Sequence, residues 1–295
     1  MRRFLLGLTL AVAVVLAVVV WLYPSNEDFR PENPFWNGLK GFMEQFDARS
    51  IDLPDGLPPE PEGTALLLIP YVELTEAELD SVAGYVRSGG TLLLLDDYAY
   101  GNQVVEHLGL EPRFSQGALF DPLFNYKNKW LVRITDLTTT TVGEDVASIV
   151  LNHATSLDAV PETNVIARSS RFSFLDLNRN GTRDDEEPSG PLPVVAALPV
   201  DKGSVVLVAD PSILINGMLQ LEDNAAFVRS IMDIRHEERD LLLARSHLPE
   251  GSLDEAKGFL AAVRDRLSSP VAMSGLLVVT LVVTLGPLLR RTGAE

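Results

Sequence analysis

Residues 64–97 read TALLLIPYVELTEAELDSVAGYVRSGGTLLLLDD. Two continuous apolar runs, TALLLIP at 64–70 and TLLLLDD at 91–97, have the length and composition of strands buried on both faces. Between them, Thr75-Glu76-Ala77-Glu78 has the spacing of a capping box. It predicts a helix that runs to about Arg87 and stops at Gly89-Gly90. Strand, helix and strand in that order form the unit of a parallel sheet with helices on both faces. A further helical stretch follows from Gly101 to Leu108.

The same alternation extends outward. ASIVLNH (147–153) and NVIARSS (164–170) predict two strands. LPVVAALPV (192–200) and GSVVLVAD (203–210) predict two more, joined by a turn around Asp201 to Gly203. Asp223 and Asn224 are placed to cap a last helix reaching about His236. Upstream, FWNGLKGFMEQF sets Phe35, Leu39, Phe42, Met43 and Phe46 on one helical face. Residues 24–34 (PSNEDFRPENP) carry three prolines and read as a stalk. Residues 237–269, with EERDLLLARSHL and the stretch after Ser252, read as a juxtamembrane helix pair. The expected fold class is α/β: a parallel-sheet, flavodoxin-like domain over 35–236, flanked by two transmembrane helices.

Those spans lie at the ends. Residues 4–23 and 270–289 are each twenty residues without a charge, and twenty helical residues reach about 30 Å, a hydrocarbon thickness. Trp21 and Tyr23 stand where interfacial aromatics belong. Residues 1–23 read as an N-terminal anchor rather than a cleaved signal, since no small-x-small site follows. Residues 270–295 read as a second anchor with a basic tail. Arg2, Arg3, Arg290 and Arg291 flank the spans, so both termini are expected in the cytoplasm and residues 24–269 outside it. The bilayer is thereby one expected partner.

The chain has 24 Lys and Arg against 41 Asp and Glu, a formal charge of −17. Without the terminal arginines and Glu295, the exported segment carries −20. This argues against nucleic-acid binding, which needs basic surface to neutralise phosphates. With no cysteine there is no disulfide, thiolate metal site or cysteine nucleophile. The four histidines show no HxH or HExxH spacing, and no GxSxG, GxGxxG or GxxxxGK[ST] occurs.

Two constellations carry chemistry. Residues 176–187 (DLNRNGTRDDEE) match the D-x-[DN]-x-[DN]-G-x5-E calcium loop at every specified position. Calcium takes six to eight hard oxygens, alternate positions supply them, and the glycine allows the sharp bend. The expected ligands are Asp176, Asn178, Asn180, Thr182, Asp184 and Glu187, with calcium in a structural role. The preceding SRFSFL alternates like a strand, so this is not a helix–loop–helix. Pro188 pushes Glu187 from helical geometry, and Asp185 or Glu186 can take its place. The second set is a candidate pocket beyond the carboxyl ends of the strands, where open parallel sheets bind ligands: Asp96, Asp97, Asn102, Asp210, Ser212 and Asn216. The bland alternative is that these are the caps and turn formers of strand ends. Asp96 and Asp97, adjacent on a strand, point to opposite faces and make a poor catalytic dyad.

NPFWNG (33–38), residues 69–97, the D-x-N-x-N-G loop followed by Gly190-Pro191-Leu192-Pro193-Val194, and VVLVADPSILINGMLQLEDNAAF (205–227) together resemble the DUF4350 family over residues 30–235. The resemblance implies a membrane-anchored protein of uncharacterised function with a class I glutamine amidotransferase-like fold. It also implies a part in assembling cell-envelope proteins beside a MoxR-type ATPase. Amidotransferases use a cysteine nucleophile, and this chain has none, so that activity does not carry over.

The expected function is therefore a non-catalytic envelope protein whose outer domain binds or scaffolds a membrane or envelope partner. The alternatives are a hydrolase using the strand-end carboxylates and a ligand sensor acting through a membrane partner. A scaffold predicts no pocket lined by Asp96 and Asp210. An enzyme predicts a concave pocket with convergent carboxylates of raised pKa.

Overall fold

The computed structural model describes residues 1–232, 240–268 and 274. It divides into two units: Met1–Ser25 with Glu250–Glu295, and Asn26–Pro249.

The larger unit is built on an eight-stranded sheet. Its order is Arg49–Ile51, Asp240–Ala244, Thr64–Leu68, Thr91–Leu95, Gly203–Val208, Pro193–Val200, Val165–Arg168 and Asp136–Leu137. The first five strands are parallel and the last three pairings are antiparallel. The sheet is mixed because the Asp201-Lys202 turn can return the chain only beside its own strand and in the opposite sense. Every residue of Thr91–Leu95 and of Gly203–Val208 is buried, as expected of strands covered on both faces.

The helix Glu76–Arg87 forms as the spacing predicts. The Thr75 hydroxyl accepts the Glu78 N–H at 3.4 Å, and the Glu78 carboxylate accepts the Thr75 N–H at 2.8 Å. Leu79, Val82, Ala83, Tyr85 and Val86 are buried on its inner face, each large one contributing about 1.5–3 kcal/mol of transfer free energy. Gly203 permits the close approach of this helix end to the sheet. A Cβ there would lie 2.1 Å from the Val86 carbonyl oxygen.

Several expectations are corrected. The Phe35 pattern yields a helix only over Lys40–Phe46. The stalk segment beyond Ser25 is packed rather than free, with Phe29 and Asn33 buried in the larger unit. Residues 240–244, read as juxtamembrane helix, form a strand between Arg49–Ile51 and Thr64–Leu68, with only Asp240 exposed. A five-residue apolar run has no period of its own, and its sheet partners decide its state. The last helix of this unit is described over Asn224–Met232, and residues 233–239 lie outside the described residues.

In the smaller unit, the helix Arg2–Leu22 includes Phe4–Leu22, which is long and apolar enough to cross a membrane or to serve as a signal sequence. The helix Ser252–Leu267 has acidic residues in its first turn and basic ones in its last, matching the helix dipole. It packs along the N-terminal helix: Ser25 donates to Asp254 at 2.9 Å, and Arg264 lies 5.4 Å from the Trp21 ring centre. Apart from Ser274, the expected second span, 270–289, lies outside the described residues.

Candidate functional site

The strand Thr91–Leu95 ends at Asp96 and Asp97, and Gly203–Val208 leads to Asp210. Parallel pairing brings these ends side by side. Asp96 turns inward and is 2% exposed. Its carboxylate accepts the N–H groups of Tyr98 at 2.8 Å and Gly101 at 2.5 Å, which shapes the turn. Asp210 is fully buried and accepts the N–H groups of Asn152 and Ser212, each at 2.6 Å. Asp97, in the bend after the strand, lines a crevice instead. Its Oδ1 is buried with no hydrogen-bond partner among the described residues.

Burial raises all three carboxyls. Asp96 rises to about 6, held back by its bonds to backbone N–H groups. Asp210 rises to about 7 against similar bonds. Asp97 rises to about 8, because burial is joined by repulsion from Asp210 and Asp96. Burial, then the charge of Asp97, also raise the phenols of Tyr71 and Tyr98.

Asp97 lines a crevice of about 840 Å³. Two two-stranded pairings outside the main sheet build its other walls. Ala118–Phe120 pairs with Phe174–Asp176, setting Gln116, Gly117 and Ala118 beside Asp176 and the loop after it. Leu131–Ile134 pairs with Ile149–Asn152, so Trp130 and His153 meet at one end. The His153 N–H donates to the Trp130 carbonyl at 3.1 Å, and the two rings stack with centroids 4.4 Å apart. Trp130 also meets Phe120 edge-on at 4.2 Å. Partial desolvation, with the Trp130 ring stacked on it, lowers the exposed His153 imidazole from its usual value. Ala99, beside Tyr98, and the lining residues His153 and Arg179 have φ of +67°, +56° and +61°. Non-glycine backbone of this kind costs energy and gathers at binding sites.

The crevice thus joins two features that look separate in sequence: the acid end of the central strand and the calcium-type loop, through Asp176, Leu177, Arg179, Asn180 and Gly181. The loop is closed by its own hydrogen bonds. Asp176 accepts the N–H groups of Asn180 at 3.1 Å and Gly181 at 2.8 Å. Asn178 and Asn180 both donate to Asp184, at 2.7 and 2.8 Å, and Asn180 Oδ1 accepts from Thr182 at 2.7 Å. Glu187 is buried and accepts from Leu177 at 2.9 Å and Asp184 at 3.1 Å, whereas Asp185 and Glu186 are exposed. Lys129 bonds the Gly181 carbonyl. Among the described residues no group of three or more His, Asp or Glu side chains is placed to hold a metal ion.

Of the six candidate pocket residues, only Asp97 lines the crevice. Asn102 clasps Phe114, accepting its N–H at 2.7 Å and donating to its carbonyl at 2.9 Å. Ser212 closes the turn on Asp210. Asn216 accepts from Gly41 at 2.7 Å and donates to the carbonyls of Asn33 and Phe35 at 3.1 and 2.6 Å. These residues meet the unpaired backbone groups of strand ends, which is the bland alternative. Gln116, Trp130 and His153 sit in no motif, and the sequence gives no mark of them.

A family model described as a domain of unknown function (DUF4350) matches residues 31–232. Among curated proteins, none matches the sequence. The mmIFT52 N-terminal domain is similar at 16% identity and a TM-score of 0.44, over 57% of this chain and 75% of that one. A β-galactosidase from Bacillus circulans sp. alkalophilus is similar at 14% identity and a TM-score of 0.31, over 54% of this chain and 22% of that one. A ThuA-like protein from Bacteroides uniformis is similar at 14% identity and a TM-score of 0.28, over 56% of this chain and 67% of that one. Likeness at this level is too distant to bear on function.

Proposed function

The chain belongs to the DUF4350 family, and from that premise and the crevice we propose a membrane-anchored, non-catalytic envelope protein whose α/β domain binds a partner. One observation carries this reading: Asp96 and Asp210 are buried in backbone hydrogen bonds, and Asp97 alone of the strand-end acids reaches the crevice. Acid–base catalysis needs two groups within reach of one reacting atom. A crevice with one uncommitted carboxyl and fixed aromatic walls suits binding.

In this reading the helix Arg2–Leu22 stays as an anchor and residues 270–289 supply a second. Both termini are then cytoplasmic, and the α/β domain faces outward. The sheet is a glutamine amidotransferase-like one that lacks the catalytic cysteine. The partner is a membrane or envelope protein handled by a MoxR-type ATPase system. The test is a photocrosslinking residue at Tyr98 in the full chain in native membranes, compared with one at Lys202 in the far hairpin turn. An adduct at Tyr98 and none at Lys202 is expected. No adduct at Tyr98, or equal adducts at both, rejects the reading.

We further propose that residues 176–187 hold structural calcium. Asp176, Asn178, Asn180 and Asp184 are already linked to one another by hydrogen bonds, with Glu187 closing the loop. Rotating the two asparagine amides would offer their oxygens in place of their NH₂ groups. The melting temperature of the full chain in calcium should fall on adding EDTA. An unchanged value removes the metal.

A further inference from the structure

Most polar groups around the strand ends are committed to backbone partners, and in the crevice Asp176 and Asn180 are likewise committed within their loop, but three other lining side chains are not. The Asp97 carboxyl has a buried oxygen without a partner. The side chains of Gln116 and His153 also make no hydrogen bond among the described residues, and both are exposed. The Tyr98 ring is 60% exposed. The half-buried Trp130 ring is held by His153 and Phe120, so little side-chain freedom is lost when a ligand packs on it.

The lining is also close to neutral in a chain of −17. Burial and the neighbouring acids push the Asp97 carboxyl up to about 8, toward its neutral form, and desolvation lowers the His153 imidazole, also toward its neutral form. The Asp176 carboxylate is met by two N–H groups. Arg179 is the one basic side chain of the lining, and a single guanidinium in an acidic domain makes a poor anion site. A cationic ligand seated at Asp97, away from the proposed calcium loop, would have to force the ionisation of Asp97 beside two other buried acids. A neutral ligand with many hydroxyls needs neither charge, and it uses acceptors, donors and aromatic faces together.

Resting on the binding role proposed for this crevice, we infer that it is a saccharide site. Trp130 and Tyr98 contact the apolar faces of sugar rings, while Asp97, Gln116 and His153 bond the hydroxyls. The volume of about 840 Å³ lies within the range of small-molecule sites and leaves room for more than one ring.

The chain has three tryptophans, so replacing Trp21 and Trp36 by Phe leaves Trp130 as the sole tryptophan, read with excitation at the red edge where tyrosine does not absorb. The full chain in detergent micelles is titrated with cellobiose, maltose and N,N′-diacetylchitobiose up to about 50 mM, covering the weak affinities of open sites. At least one sugar should give a saturable change in Trp130 emission. Tyr98→Ala and Gln116→Ala, both at exposed positions, should each weaken it about tenfold. No response to any of the three sugars overturns the inference, as does an equal saturable response to tetramethylammonium chloride. Should the sugars fail while a crosslinker at residue 98 still forms its adduct, the ligand class is wrong and the binding role stands.

Discussion

The Asp210 carboxylate accepts the backbone N–H of Asn152 at 2.6 Å across 58 residues of chain. Its other oxygen accepts the Ser212 N–H at the same distance. One buried side chain thus ties the end of Ile149–Asn152, and the Trp130–His153 pair beyond it, to the end of the main sheet. Asp210→Ala leaves two N–H groups without an acceptor, at a cost of about 2–4 kcal/mol. Asp210→Asn keeps one acceptor and costs less. Thermal unfolding of the full chain in detergent ranks the two variants. Equal melting temperatures for Asp210→Ala and the parent would show that the bonds contribute nothing.

The three raised carboxyls make stability depend on pH in the direction opposite to an ordinary salt-bridged acid. In the unfolded chain each titrates near the ordinary aspartate value of 3.8, whereas in the folded chain burial raises them to about 6, 7 and 8. Between those limits the folded state binds more protons, so stability falls as pH rises. The penalty is absent below about pH 4 and complete above about pH 8. The melting temperature should therefore decline from pH 5 to pH 8. Asp97→Asn, which cannot ionise, should flatten the decline. A melting temperature that climbs over this range contradicts the assignment.

Much of this architecture is legible in the sequence because it is local. The two apolar runs at 64–68 and 91–95, the Thr75 and Glu78 capping box, and the hairpin around Asp201 each carry their own pattern. Asp240–Ala244 is not legible, since a short apolar run takes its state from strands almost two hundred residues away. The site is only half legible. Asp97 and the 176–181 loop stand out by composition, but Trp130, His153 and Gln116 reach the same crevice from separate loops. Nothing in their spacing announces that meeting. Asn102, Ser212 and Asn216 show the converse, because a polar residue at a strand end looks the same whether it faces a ligand or the backbone.

Gly203 tests the packing of the sheet against the helix Glu76–Arg87. A Cβ at this position meets the carbonyl oxygens of Val86 at 2.1 Å and Gly90 at 2.3 Å. Both are backbone atoms and cannot rotate away. Gly203→Ala must separate helix and strand, with an expected loss of about 1–3 kcal/mol. Gly84→Ala, where a Cβ meets nothing within 4 Å, is the control and should be neutral or stabilising. A melting temperature no lower for Gly203→Ala than for Gly84→Ala would refute the close approach.

Asn216 holds the segment before the sheet. Its Nδ2 donates to the Asn33 and Phe35 carbonyls, and its Oδ1 accepts the Gly41 N–H. The adjoining backbone adds bonds from Asn216 to Gly38 and from Gly217 to Trp36, each at 2.8 Å. Asn216→Ala removes three bonds at once, at about 1–3 kcal/mol. Asn216→Asp keeps the acceptor for Gly41 but sets a carboxylate against two carbonyl oxygens. It should therefore be worse than Ala at neutral pH and recover on acidification, when the added proton restores one donor. Hydrogen exchange reads this directly. The Gly41 amide should lose protection in Asn216→Ala and keep more of it in Asn216→Asp, while the amides of Thr91–Leu95 keep theirs in both. Equal loss in the central strand would mean that Asn216 supports the whole sheet rather than this one clasp.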